Sequence, residues 1–519
     1  MSMTHRVRTT AIITRANTSL LERPDRLPRA ILAALPYGRG TLSALAAACH
    51  RYPEATAVVG GEQTLSYRDL WSTSRALAGG LAAEGLDERS TIGLLCRNSP
   101  FFVQSLLAGM MLGADLVFLN TGFGEGQLAD VAHDEHLDCI LYDDEAGVTL
   151  SGVEGPRLVS RSQASVFTSA SAPHPIGPPG KSSRLVILTS GTTGRPKGAG
   201  RSSNSGADGV AAILGRIPLR LRDTIVVPAP FFHAWGLAGL MMGLGLNATI
   251  VTDSKFDAES TLRAIRDHRA SGLMAVPAML QSICSLDPQI LASIETESLR
   301  LVALSGSSLS SRLATEILDR FGPVLYNVYG STEVATATIA GPRSLRRWPN
   351  TAGHPAPGVR VEVLDPARNR APLGDVGGVF VGNRARFEGY TTGGDKEVVR
   401  GLVSTGDLGH FDSRGLLFLD GREDDMIVSG GENVYPAEVE DALNSHEAVL
   451  EAVVVPADDE RFGQALKAVV VPRPGRDVAV DDLKQFLADR LATFKVPRVF
   501  DIVDELPRNA TGKVLRSTL

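Results

Sequence analysis

Residues Leu188–Gly198 read Leu-Thr-Ser-Gly-Thr-Thr-Gly-Arg-Pro-Lys-Gly, a concentration of hydroxyls, glycines and one lysine suited to holding a polyphosphate. Gly191 and Gly194 let the backbone approach a ligand closely, Thr189, Ser190, Thr192 and Thr193 supply hydrogen-bond donors, and Lys197 supplies positive charge. Lys197 stands between Pro196 and Gly198, so this is not a Walker A loop, where Gly precedes the lysine and Ser or Thr follows. The apolar run Leu185–Leu188 ahead of it reads as a buried strand. Taken alone, the same residues also describe an ordinary polar turn after a strand. The number of specified positions in this order favours the phosphate reading.

Other groups with chemical potential lie downstream, and each also has a plain structural reading. His233 sits in Pro-Phe-Phe-His-Ala-Trp-Gly-Leu-Ala-Gly (230–239), where an isolated imidazole can be a satisfied core residue or a site residue. In Tyr-Asn-Val-Tyr-Gly-Ser-Thr-Glu-Val-Ala (326–335), Tyr329 followed by Gly330 offers a flat ring beside open backbone, which suits a planar base; a strand ending in a polar turn fits as well. Asp407, in Ser-Thr-Gly-Asp-Leu-Gly (404–409), is placed either to cap a turn or to accept from two adjacent hydroxyls. Gly430 and Gly431 precede Pro436, so they serve a turn before a helix or a backbone lying against a narrow ligand. Lys513, on a Thr-Gly turn, would ordinarily be a solvated surface charge.

Composition narrows the class. The chain has 519 residues, 43% hydrophobic and 21% charged, a globular balance that requires more than one domain or subdomain. A net charge of -6 leaves no electrostatic footprint for nucleic acid, so phosphate binding must be local to one site. Cys49, Cys96, Cys139 and Cys284 lack metal-ligand or redox spacing and read as buried apolar residues of a reducing compartment. The apolar stretch Ala11–Ile13 is too short for a signal-peptide core, and no run is long enough to span a bilayer. A cytoplasmic protein is expected.

The elements that must position these residues alternate in type. The patterns predict a helix over Tyr67–Leu86, a strand over Thr91–Cys96, a helix over Phe102–Leu112, and strands at Val117–Asn120 and Cys139–Asp143. A Pro/Ser/Gly-rich linker, Thr168–Ser183, leads to the phosphate loop. Strands at Asp223–Pro228, Ala248–Thr252, Gly272–Val276 and Arg300–Ser305 follow, with helices at Glu259–Arg269 and Ser310–Phe321. Gly353–Phe387, valine-rich and broken by Gly and Pro, predicts a small β-rich subdomain. Beyond a charged, turn-prone stretch at Gly421–Asp425 come strands Leu450–Val455 and Ala465–Val471 and helices Pro436–Asn444 and Asp481–Thr493. The expected fold is α/β: a large N-terminal domain (1–421) of two doubly wound subdomains plus the β-rich piece, and a small mobile α+β C-terminal domain (422–519).

In the order and content of these motifs, from about Leu42 to the C-terminus, the chain resembles the adenylate-forming superfamily of acyl-CoA synthetases, luciferases and peptide-synthetase adenylation domains. The resemblance implies ATP, Mg²⁺ and coenzyme A as cofactors and co-substrates, and assigns roles by position. His233 would sit beside the substrate carboxylate. Gly306 and Tyr329 would face the adenine and Asn327 its polar edge; Thr332 would donate to the α-phosphate, and Glu333 would hold Mg²⁺. Asp407 would take the ribose hydroxyls, and Arg422 would pair on the phosphate or ribose side. Asp424 matches the hinge, Gly430 and Gly431 the pantetheine tunnel, and Lys513 the catalytic lysine.

Within the superfamily the pattern looks closest to bacterial fatty acyl-CoA ligases. Phe231–Leu246 holds no carboxylate for a substrate ammonium, which disfavours an amino acid, and no carrier domain is expected after Arg516. The implied reaction activates an apolar carboxylic acid, medium- to long-chain or bulky and cyclic, as acyl-AMP and then forms a thioester with CoA. An acyl-carrier protein or partner enzyme as acceptor is the alternative; a luciferase-like oxidative use of the adenylate is a further one. The chain departs from the family pattern at Ala199–Asn204, where relatives often carry a histidine, at Gly378, where an acidic residue is common, and at Val428, where lysine is frequent.

Overall fold

The computed structural model describes residues 24–38, 40–169, 174–190, 196–202, 206–383, 389–391, 393–429, 432–459, 463–509 and 512–519. Three sheets organise the chain. A 6-stranded sheet runs in the order Arg157–Ser160, Cys139–Tyr142, Thr91–Leu95, Asp115–Phe118, Arg184–Ser190, Pro196–Ser202. Its first five strands are parallel and the last folds back antiparallel, so the phosphate-loop motif joins an antiparallel pair at the edge of an otherwise parallel set of described strands. Parallel strands covered on both faces need apolar residues throughout, and Thr91–Leu95 and Asp115–Phe118 are buried along nearly all their length.

A 14-stranded sheet carries the rest of the large unit. Its centre is parallel: Thr249–Thr252, Thr224–Val226, Gly272–Ala275, Leu301–Leu304 and Leu325–Ser331 lie side by side. Leu325–Ser331 then turns into Ala335–Ala340, and Thr351–Pro355 pairs on one side with Ala335–Ala340 and on the other with Leu417–Arg422. The β-rich piece expected from Gly353–Phe387 is therefore hydrogen-bonded into the same sheet as the parallel strands rather than standing beside it. The join depends on a bulge between Thr351 and Gly353. Gly353 has φ +92°, and a Cβ there would lie 2.2 Å from the Ile339 carbonyl carbon, so only glycine lets the strands meet.

With smaller clusters against the 6-stranded sheet and among the antiparallel strands, the two sheets of the large unit meet in one main apolar core. The helix Tyr67–Ala83 belongs to it: Ser66 and Asp69 close a capping box at its start, and the Tyr67 hydroxyl donates to the Ala248 carbonyl at 2.8 Å. The helix stops short of Leu86 because the Leu86 N–H turns back onto the Leu81 carbonyl, which buries the leucine.

The third sheet has 5 strands and is built from Ile427–Ser429, Glu432–Val434, Val449–Asp459, Gly463–Pro472 and Val499–Ile502. Alternate residues of its long hairpin feed two cores. Ala452, Val454, Ala468 and Val470 meet the helices Pro436–Asn444 and Val480–Ala488. Val453, Val455, Val469 and Val471 meet Leu506, Val514 and Leu519 from the last segment of the chain. The second helix ends at Ala488 rather than Thr493, because the chain turns there to lay Leu491 and Val496 on the first of these cores.

Replacing Gly353 by Ala should lower the calorimetric unfolding transition by the equivalent of about 3 kcal/mol, from backbone clash at a positive φ. Gly126→Ala, on a helix with open space around it, should leave the transition unchanged or raise it.

Candidate active site

The site lies where the phosphate hairpin, the turn between Leu325–Ser331 and Ala335–Ala340, and the strands carrying Asp407 and Arg422 converge. Thr189 and Lys197 face each other across the hairpin, and the Thr189 hydroxyl donates to the Lys197 carbonyl at 3.1 Å. That hydroxyl closes the loop's neck. Gly191, Thr192, Thr193 and Gly194 lie outside the described residues, as does the side chain of Ser190. The Lys197 ammonium sits 5.6 Å from the centre of the Tyr390 ring, within cation–π range.

Asn327 and Tyr329 occupy alternate positions of one strand and so share a face. Thr332 and Glu333 follow in the tight turn to Ala335. A Cβ on Gly330 would lie 1.8 Å from the Ala335 carbonyl oxygen, so the turn requires glycine there. The turn also fixes Glu333: its Oε2 accepts from the Ser331 hydroxyl and its Oε1 from the Tyr390 hydroxyl, each at 2.8 Å. Burial, then the bond to Glu333, raises the Tyr390 phenol well above its ordinary range, so it stays a donor at neutral pH.

Asp407 lies directly opposite Arg422 in the ladder of Leu402–Phe411 and Leu417–Arg422. Its Oδ2 accepts from the Tyr329 hydroxyl at 2.5 Å and its Oδ1 from Arg422 at 3.2 Å. Burial pushes the Asp407 carboxyl up, and the Tyr329 and Arg422 contacts oppose that rise. Arg422 also forks onto Asp424, with Nε to Oδ1 at 2.8 Å and Nη2 to Oδ2 at 3.0 Å. The guanidinium thus joins Asp407 to Asp424.

His233 is the N-cap residue of the helix Ala234–Gly245. Asn98, 5% exposed, aims the segment: its Oδ1 accepts from the Phe231 N–H at 2.7 Å, and its amide donates to the Val227 and Ala229 carbonyls and to Thr252. Trp235 anchors the other side, donating to the Ala275 carbonyl at 3.0 Å. His233 as a residue is half-buried, but its Nε2 is enclosed and meets no partner among the described residues. Burial lowers its pKa to about 4, so the imidazole is neutral at physiological pH.

Gly306 follows the strand Leu301–Leu304, and a Cβ on it would lie 3.5 Å from Val276. Val276 also meets the Lys513 hairpin: a Cβ on Gly512 would lie 3.6 Å from Val276 and 3.3 Å from Ala278. The hairpin is held at both stems. Arg508 donates to the Gly512 carbonyl at 2.7 Å and pairs with Glu451. Arg516 donates to the Val454 carbonyl at 2.8 Å and pairs with Glu440 at 2.8 Å. Burial raises the Glu440 carboxyl, with Arg516 opposing. Two further bonds tie the same strand to the large unit, Gln281 to the Leu450 carbonyl at 3.1 Å and Arg312 to the Val449 carbonyl at 2.8 Å. Lys513 itself is exposed, and Gly430 and Gly431 lie outside the described residues.

Sequence reasoning passed over Asn98, Tyr390, Arg508, Glu440 and Glu451. Of these only Tyr390 carried a usable sign, an aromatic directly after Gly389 at the end of the valine-rich piece. Among the described residues no group of three or more His, Cys, Asp or Glu could hold a metal ion. Glu333 alone fits an ion that brings most of its ligands as water and substrate phosphate, which is the habit of Mg²⁺.

Residues 45–391 match the family model of AMP-binding enzymes, and residues 438–513 match that of the AMP-binding enzyme C-terminal domain. The chain is 33% identical over 487 residues to the fatty acid–[acyl-carrier-protein] ligase ScoC of Streptomyces coeruleorubidus, covering 90% of this chain and 93% of that one. It is 33% identical to the indoleacetate–CoA ligase of Aromatoleum aromaticum, covering 89% and 94%. Its fold superposes on the o-succinylbenzoate CoA synthetase of Bacillus subtilis, solved with its acyl-adenylate intermediate, with a TM-score of 0.80, 26% identity and coverage of 91% and 97%.

The depressed His233 pKa has a definite sign. Between about pH 4 and 6.5 the unfolded chain binds a proton there that the folded chain does not, so acid removes stability across that window and alkali does not. His233→Gln should therefore lose about 2 kcal/mol less stability than the parent between pH 7 and 5, read as the difference in their urea midpoints.

Proposed function

The chain belongs to the AMP-binding enzyme family, and on that premise we propose that it is an AMP-forming acid–thiol ligase acting on an apolar carboxylic acid. The observation that carries the reading is the seat of the Lys513 hairpin against Val276 and Ala278, beside Gly306. It sets the backbone beside Lys513, a residue of the C-terminal unit, at the end of the strand Gly272–Ala275.

In the first step a carboxylate oxygen of the substrate attacks the α-phosphorus of ATP. The bond to the bridging oxygen breaks, and pyrophosphate leaves with the electron pair. The chain's part is charge and position: Lys197 and Lys513 oppose the negative charge, Thr332 donates to the α-phosphate, and Asp407 with Arg422 fixes the ribose. Mg²⁺ arriving with ATP supplies charge neutralisation, and Glu333 would hold it. Neutral His233 offers the substrate carboxylate a polar contact without a compensating cation, leaving the carboxylate its nucleophilicity. In the second step a thiol sulfur attacks the acyl carbon, the C–O bond to AMP breaks, and the thiol proton passes to solvent.

The two units, 1–421 and 422–519, would exchange position about Asp424 between the steps, withdrawing Lys513 and presenting Gly430 and Gly431 to the thiol. The acceptor we favour is coenzyme A, because relatives at 30–33% identity over about nine-tenths of the chain carry CoA-ligase names. An acyl-carrier protein is the second reading, favoured by the likeness to ScoC. For the acid, the lining segment Pro230–Gly245 offers Phe, Trp, Leu, Met and Gly and no charged side chain, which suits a fatty or bulky cyclic acid. Among the described residues no helix is long and apolar enough to cross a membrane. Burial raises the Cys49, Cys139 and Cys284 thiols to about 12, so they stay protonated and unreactive near neutral pH; the setting we favour is cytoplasmic.

Incubation with MgATP and a panel of carboxylic acids, with and without CoA, tests the reading by mass spectrometry. An acyl-CoA and AMP formed together support the ligase; acyl-AMP without thioester moves the acceptor to a carrier protein, and no acid-dependent pyrophosphate release rejects both. Lys513→Ala should slow adenylation roughly 10²–10³-fold while sparing thioester formation from preformed acyl-AMP. Equal loss of both half-reactions would remove Lys513 from the role given to it.

A further inference from the structure

Tyr390 has no part in the roles assigned above, yet it touches two residues that do. Its hydroxyl donates to Glu333 Oε1 at 2.8 Å, and its ring lies 5.6 Å from the Lys197 ammonium. Its backbone is tied to the strand that carries Lys197: Ala199 and Tyr390 form an antiparallel bridge, and the Thr391 N–H donates to the Gly198 carbonyl at 2.8 Å. The Thr391 hydroxyl adds a bond to the same carbonyl at 3.1 Å and another to Glu135. Tyr390 also packs in the apolar cluster of Ala199, Val334 and Tyr329, which joins the phosphate hairpin to the Glu333 turn. The two carriers of phosphate chemistry sit on different sheets, and this residue spans them.

We propose that Tyr390 is a positioning residue for the metal–triphosphate, orienting Glu333 through its hydroxyl and Lys197 through its ring. The proposal rests on the ligase reading. Each Glu333 oxygen accepts one hydroxyl, which fixes the plane of the carboxylate and leaves each oxygen a further lone pair for an ion. A carboxylate free to rotate would have to be ordered by the incoming ion itself, at the expense of its affinity. The ring does the equivalent for the lysine, whose long stem otherwise samples many rotamers. One side chain thereby touches both the cation and the carboxylate that would serve the metal–triphosphate.

The two functions separate by substitution. Tyr390→Phe keeps the ring and removes the hydroxyl; Tyr390→Leu removes both. Binding of ATP with and without Mg²⁺, and of AMP, is measured by calorimetry on the full chain in the absence of acid and thiol. Tyr390→Phe should weaken Mg²⁺-ATP roughly 10-fold, the scale of a hydrogen bond to a charged group, and raise the Mg²⁺ concentration needed for half-saturation. Its AMP affinity and melting temperature should stay within about 2-fold and about 2 °C of the parent. Tyr390→Leu should in addition weaken metal-free ATP, as Lys197 loosens. In a Glu333→Gln background, Tyr390→Phe should cost nothing further, since the two act through one carboxylate. Unchanged Mg²⁺ dependence in Tyr390→Phe overturns the proposal, and so does an equal loss of AMP affinity, which marks a merely structural role. A parent protein that binds neither ATP nor AMP overturns the ligase reading itself, and that result is distinguishable from both.

Discussion

The half-buried carboxylate of Asp407 is the constraint on which the site depends. Removing a carboxylate from water is costly unless its oxygens are met by donors, and here the donors come from separate parts of the chain. Tyr329 reaches it from the parallel half of the large sheet, and Arg422 from the neighbouring strand of the antiparallel half. Satisfying one charge therefore brings the two halves of the sheet together at the point where a nucleotide sugar would lie. Two further donors of Arg422 go to Asp424, two residues on, so the same guanidinium also orders the start of the connection to the small unit.

A second charged arrangement governs the small unit. The Lys513 hairpin is exposed, but Arg508 and Arg516 on its flanks are tied to Glu451 and Glu440, on and beside the strand Val449–Asp459. That strand's first residues accept from Gln281 and Arg312 of the large unit. An exposed lysine is thus placed by partly buried pairs rather than by contacts of its own. The Arg516–Glu440 pair is the more costly to break singly, because Glu440 would be left largely buried without its cation.

Much of this was legible in the sequence, and the reasons are local. Strands such as Thr91–Leu95 and Leu301–Leu304 are short apolar runs between turn residues, and helices such as Ser311–Phe321 declare themselves by period and by a Ser cap. Motif order singled out the Thr189–Lys197 hairpin and the segments around Tyr329, Asp407 and Lys513 by family likeness, since those residues lie in runs whose neighbours are also specified. What escaped were partners distant in sequence. Asn98 meets Phe231 across 133 positions, and Tyr390 meets Glu333 across 57, with nothing in either local pattern to pair them. The joining of the β-rich piece to the main sheet was hidden for the same reason, since it rests on one bulge at Gly353 and on which strands happen to be adjacent.

The bond between Trp235 and the Ala275 carbonyl gives the molecule an optical handle. The chain has three tryptophans, Trp71, Trp235 and Trp348. Trp71 lies edge-on to Tyr37 and His50, and Trp348 is flanked by Arg347 and Arg414. Trp235 is 9% exposed, with its indole N–H committed to the strand end beside Val276. Its emission should be blue relative to a solvated indole, and any ligand that shifts the Pro230–Gly239 segment would change the dipoles around that ring. The segment that would select the acid therefore carries its own fluorophore, and occupancy can be followed without a label.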